Sequence, residues 1–197
     1  MTRPCRPGCG FAMRRQPRLT PCPARPKRRA AREDDLPTLT AELPEHHEAI
    51  ERVLDAAFGP GRFAKTSERV RERGAVLQPS LTRVALNATK DVVGICRIWS
   101  VSAGQQFYFL GPLAVDPKAQ LAGLGLALTR EAVAACRARG GDGVVLVGAE
   151  RFFKPIGFSI VPPGRLSLPG PVDPARLLWL ELRRGGMSGA HGEIGAP

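Results

Sequence analysis

The stretch Leu113-Ala114-Val115-Asp116-Pro117, with Gln120-Leu121-Ala122-Gly123-Leu124-Gly125 and Leu126-Ala127-Leu128 close behind it, decides how this chain is read. An apolar strand pattern stops at Asp-Pro, two glycines separated by one residue follow, and helical periodicity begins. Such a strand-to-helix turn leaves backbone N–H groups unpaired at the helix start, where the positive end of the helix dipole favours a phosphate. A phosphorylated ligand is the first expectation. Taken alone the glycine pair says little, because tight turns need glycine for steric reasons. It is not a Walker loop, since no Gly-Lys-Ser/Thr follows, and it lacks the third glycine and the acidic strand end of a dinucleotide fingerprint.

Outward from this stretch, the pattern predicts a mixed α/β domain. Leu39, Ala41 and Leu43 alternate as a short strand. After Pro44, apolar residues at three- and four-residue spacing predict a helix that Gly59-Pro60 stops. A more polar helix is expected over 66–73, ended by Gly74, then strands over 81–86 and 92–101 joined as a hairpin. A third strand covers 107–115, where Gly111-Pro112 predicts a bulge or splay. The helix over 123–139 shows Leu124, Leu128, Ala132 and Cys136 as one stripe. Val144 to Val147 is wholly apolar, the signature of a strand covered on both faces. A short aromatic segment, the Gly157-Phe158 turn and a closing strand over 177–182 complete a domain expected at 36–184. Residues 185–197 read as a flexible tail.

The net charge of +11 is concentrated at one end. Ten basic residues and no acidic one lie between Met1 and Arg32, against nineteen and eighteen over the rest. This distribution argues against a nucleic-acid-binding body and leaves such contact to the arm. Residues 1–35 hold too few aliphatic side chains to offset their ordering entropy and are expected to be disordered. Six prolines before Arg32 oppose the amphipathic helix of a transit peptide, and no apolar segment follows Arg14-Arg15 as export would need. A start site assigned too early and a genuine basic arm both remain open. Cys5, Cys9 and Cys22 lack a fourth ligand for zinc, and Cys96 and Cys136 fall in core patterns. Five cysteines without a framework point to a reducing, cytoplasmic setting, and no apolar run reaches membrane-span length.

The full combination is more specific than the loop. Val115-Asp116-Pro117, Gln120-x-x-Gly123-x-Gly125, a helix, an apolar strand and Phe152-Phe153-x-x-x-Gly157-Phe158 resemble the GNAT superfamily of acyl-CoA-dependent N-acyltransferases. Ala57-Phe58-Gly59, Leu110-Gly111-Pro112-Leu113 and Leu168-Pro169-Gly170-Pro171-Val172 are similar to its YhbS-like bacterial branch. The resemblance implies a mostly antiparallel sheet with splayed central strands, flanked by helices. It implies acetyl-CoA as acyl donor and an amine as acceptor, with no metal and with a homodimer left open. Backbone groups of Leu113, Ala114 and Val115 would pair with the pantetheine. The loop Gln120, Leu121, Ala122, Gly123, Leu124, Gly125 and Leu126 would hold the pyrophosphate through backbone amides.

Two departures from the family pattern stand out. Leu121, Ala122 and Leu126 replace residues that are often glycine or basic, so no side-chain cation supports the phosphates unless Lys118 does. Phe153 occupies the position of a tyrosine that often protonates the departing thiolate, and the one tyrosine in the chain is Tyr108. Catalytic residues are therefore unassigned, and a CoA-binding protein without efficient transfer is the alternative. His46, His47 and Glu181 read as solvated residues rather than bases, which leaves water to carry the amine proton. Arg62 and Lys65 border the acceptor groove that the resemblance implies, where their charges either suit an acidic acceptor or belong to a merely solvated loop, and Arg97 in an apolar strand either snorkels at an edge or lines a polar groove.

Overall fold

The computed structural model describes residues 36–64, 66–119 and 121–197. The expectations for the basic arm, Lys65 and Gln120 lie outside the described residues. Strand β1 (Thr38–Ala41) is followed by a 3-10 turn beginning at Pro44 and by α1 (His47–Phe58). Ile50, Val53 and Leu54 form the buried stripe of α1, and Gly59 ends it at a φ of +66°. Helix α2 (Thr66–Glu72) buries Val70, and Gly74 N–H bonds back to Arg71 O at 3.1 Å. Strands β2 (Val76–Leu77), β3 (Arg83–Leu86), β4 (Val92–Ala103) and β5 (Gln105–Val115) follow. Helix α3 (Leu124–Ala138), β6 (Gly143–Val147), α4 (Glu150–Phe153), β7 (Ser159–Ile160), β8 (Leu166–Ser167), β9 (Leu177–Glu181) and β10 (Gly192–Glu193) complete the chain.

One sheet runs in the order β1-β3-β4-β5-β6-β9-β7, with β2 also paired to β4. Only β5 and β6 are parallel within it. Helix α3 covers one face, where Leu128, Ala132 and Cys136 pack with Ile98, Leu110, Val144 and Leu146. The opposite face is shared. Ile50, Val53 and Leu54 of α1 cover Val84, Ile95 and Ala114, while Val70 of α2 joins Val101, Phe107, Phe109 and Val145. The wholly apolar β6 therefore does sit between two cores. Burial pushes the thiols of Cys96 and Cys136 up, the latter to about 12, so both are inert core residues.

The expectation of a flexible tail at 185–197 is corrected. Met187, Ala190 and Ile194 are fully buried against the α1–α2 face of the sheet. Strand β10 pairs with β8, His191 N–H donates to Ala103 O at 2.9 Å, and Gly195 bridges Ser102. Gly143 makes room for this: a Cβ there would lie 2.1 Å from the Met187 sulfur. Three isolated apolar residues among glycines carry no periodicity, so the segment reads as polar although it closes the core.

Candidate active site

The glycine-proline interruption of β5 opens the sheet. Cys96 faces Leu113 and Ile98 faces Leu110, so Gly111 and Pro112 together oppose Arg97 alone, a β-bulge. Gly111 has a φ of +141°, which favours glycine, and its peptide bond to Pro112 is cis. The indole N–H of Trp99 donates to Gly111 O at 2.6 Å and pins the bulge. Strand β5 pairs with β6 only through Tyr108, Phe109 and Leu110. Beyond the bulge it continues to Val115 along β4 alone.

This leaves a strand edge facing a gap. Asp116 N–H donates to Val93 O at 2.9 Å, and antiparallel alternation then turns the backbone groups of Ala114 toward β4. Those of Leu113 and Val115 face the gap. Ala114, expected among the three slot residues, is corrected on this ground: its polar groups are spent within the sheet, and its methyl packs under α1.

At the end of this edge stands the start of α3. Gly123 occupies the N-cap position at a φ of +86°, a left-handed conformation that glycine adopts without strain, and no side chain caps the helix. Leu124 N–H reaches Leu121 O at a long 3.4 Å, while the N–H groups of Gly125 and Leu126 fall in the first turn, where no intrahelical acceptor exists. Gly125 lies against Phe152, whose ring would be 3.4 Å from a Cβ at that position. Lys118 lines a separate groove with Thr40, Leu43 and Ala49, between β1 and α1.

A cavity of about 540 Å³ runs from the splay to the α1–α2 connection. Leu110 to Leu113 on β5, Leu146 and Val147 on β6, and Phe153 on α4 form its inner wall. Phe153 is buried, with its ring edge-on to Phe152 at 4.8 Å and to Phe158 at 5.8 Å, and has no proton to donate. Tyr108 is elsewhere: it pairs with Ser100 and Val144 and crowds Gly141, after α3. His46 accepts the Leu43 N–H at 3.2 Å through Nδ1, and Glu181 accepts N–H groups of Gly185 and Met187. Neither is among the cavity-lining residues.

The charged wall differs from the sequence expectation. Arg62 lines the cavity, but Glu51 at 2.7 Å and Asp55 at 3.1 Å hold its guanidinium. Arg97 lies outside the cavity, buried between Glu42 at 2.8 Å and Glu51 at 3.1 Å. It is neither a snorkelling residue nor a groove residue, because β1 and α1 each bring a carboxylate over it. Burial opposes the charges of Glu51 and Arg97, yet the attraction of Arg62 and Arg97 leaves the Glu51 carboxyl lowered, and Glu42 and Glu51 leave Arg97 raised. Sequence reading missed Glu68, Arg71, Asp173 and Arg176, which all line the cavity. Glu68 and Arg71 form a two-pronged pair along α2, and the Arg71 guanidinium lies 5.7 Å from the Trp99 ring centroid. A charged pair at i, i+3 on a polar helix resembles any solvated surface pair. Asp173 and Arg176 sit in a loop without periodicity.

A splayed parallel pair with an uncapped helix at its mouth defines a class. The model of the Acetyltransferase (GNAT) family matches residues 47–158, and the chain belongs to that family. Its structure is similar to GNAT family N-acetyltransferase YhbS from Escherichia coli in complex with CoA, at 23% identity and a TM-score of 0.70, covering 83% of this chain and 91% of that one. It is also similar to a GNAT family acetyltransferase from Brucella melitensis in complex with acetyl-CoA, at 26% identity and a TM-score of 0.56, over 74% and 87%. The ribosomal-protein-S18-alanine N-acetyltransferase from Escherichia coli shares the fold at 17% identity and a TM-score of 0.54, over 75% and 94%. A search of curated proteins finds no match. Among the described residues no group of His, Cys, Asp and Glu is placed to hold a metal ion, and no helix is long and apolar enough to cross a membrane.

Proposed function

We propose that this protein transfers an acetyl group from acetyl-CoA to an amine, in the cytoplasm, by direct attack. One observation carries the reading: the free backbone edge of Leu113 and Val115 leads to the uncapped start of α3. An extended chain of amides suits the edge, as a strand would, and a pyrophosphate suits the helix end. Leu121 to Leu126 would hold that phosphate by backbone N–H groups alone. The Brucella relative, bound to acetyl-CoA, supports the same ligand here.

Bound acetyl-CoA supplies a thioester carbonyl with a thiol leaving group of reference pKa about 8.5. The N–H of Leu113, on the open edge beside the cavity, would polarise that carbonyl. The cavity orients the amine, and such proximity can be worth roughly 7–11 kcal/mol. No side-chain base is needed for an amine that enters neutral, and Glu68 is committed to Arg71. With Phe153 at the wall, water takes the proton that the attacking nitrogen releases and delivers one to the departing sulfur. Phe153 also favours a second reading, CoA binding without efficient transfer.

Calorimetric titration with acetyl-CoA, paired with thiol release in the presence of an amine library, tests both. Binding with release establishes transfer; binding without release from any amine favours the second reading. Absence of binding sinks both.

A further inference from the structure

Among the described residues three guanidinium groups line the cavity, and they are not equivalent. Arg62 is neutralised by Glu51 and Asp55, and Arg71 by Glu68. Arg176 has no side-chain partner among the described residues. Its backbone, in contrast, is fixed. Arg176 N–H donates to Asp173 O at 2.9 Å, Gly148 N–H donates to Arg176 O at 2.8 Å, and Asp173 caps the turn by accepting the Ala175 N–H at 3.0 Å. The last contact commits one oxygen of Asp173, the other free carboxylate of the wall, to the turn. A firmly held turn thus brings Arg176, exposed and without a side-chain partner among the described residues, to the cavity beside Asp173, whose carboxylate keeps its charge.

In the same lining Ser67 is half-buried and its hydroxyl has no partner among the described residues, whereas the Thr66 hydroxyl is spent on Pro171 O at 2.6 Å. The same lining also carries apolar side chains, among them Leu54, Phe109 and Val172.

Resting on the transfer reading above, we infer that the acceptor is an amine carrying a carboxylate or other anionic group beyond an apolar spacer, and that Arg176 selects it. Arg176 binds the anionic end by charge-assisted hydrogen bonds, Ser67 adds a hydroxyl donor, and the amine end reaches the thioester beside Leu113. Arg62, held by Glu51 and Asp55, is not needed for this selection.

The test compares 6-aminohexanoate, hexylamine and 1,6-diaminohexane as acceptors with acetyl-CoA saturating. The expected order of kcat/KM places the amino acid first, by about tenfold or more over hexylamine, the factor of one charge-assisted hydrogen bond. Arg176→Gln removes that preference by raising KM for 6-aminohexanoate, with a smaller effect on hexylamine. Preference for the diamine, equal use of all three, or a uniform loss in Arg176→Gln overturns the inference while leaving acetyl transfer intact. Calorimetry with 6-acetamidohexanoate and N-hexylacetamide gives a readout independent of turnover. Tighter binding of the former, lost in Arg176→Gln, supports selection even where no acceptor is acetylated, and equal binding overturns it.

Discussion

A single oxygen atom separates Phe153 from the tyrosine its position suggests. The ring already faces the cavity, so Phe153→Tyr places a hydroxyl at the wall without a new fold. We expect kcat to rise about a hundredfold, the low end for a positioned general acid, with KM for acetyl-CoA unchanged in steady-state measurements. An unchanged kcat would mean that thiolate departure is not limiting. At Gly123 the left-handed backbone is the constraint, since open space surrounds a Cβ there. Gly123→Ala is expected to cost roughly 1–2 kcal/mol and to weaken acetyl-CoA binding, read by urea unfolding and by calorimetry. Both glycine and phenylalanine are legible in sequence because their meaning is local. Arg176 is not: its importance lies in lacking a partner, which only the positions of Glu51, Asp55 and Glu68 make apparent.

Among the elements, β1 and α1 meet β4 through charge. Glu42, Arg97, Glu51, Arg62 and Asp55 form one chain from beneath the bulge to the cavity wall. Arg97→Met would leave Glu42 buried and unpaired, at a cost of about 3–5 kcal/mol in urea unfolding. The same chain sets an acid limit. A carboxyl lowered in the folded state contributes stability that is present above its unfolded pKa and is lost as pH falls through its folded value. The Glu51 contribution is thus complete at neutral pH and disappears on acidification below its reference value of 4.5, and Glu51→Gln should flatten that part of the stability profile. The elements themselves were largely legible: the stripes of α1 and α3, the hairpin and the bulge all follow from periodicity and from Gly111-Pro112. The segment after β9 was not, because burial there depends on a gap at Gly143 distant in sequence. Met187→Ala tests it, with an expected loss of about 2–4 kcal/mol that a mobile tail would not show.

At the scale of the molecule, every described part of the slot and cavity lies between residues 54 and 176, so a chain beginning at Leu36 should bind acetyl-CoA as the full chain does. If nucleic-acid affinity exists, its loss in that shorter chain assigns it to the arm, and its retention excludes the arm. The gap between β5 and β6 has a consequence of another kind. A sheet whose middle is left unzipped has its ladder completed only when something lies in the opening, so occupation is linked to resistance to heat. At a ligand concentration a hundred times its dissociation constant the folded state gains about 2.7 kcal/mol. Molecules that fill the opening, whether or not they react, should announce themselves by delayed melting, and a collection of candidate acyl-CoA thioesters can be ranked that way before any acceptor is known.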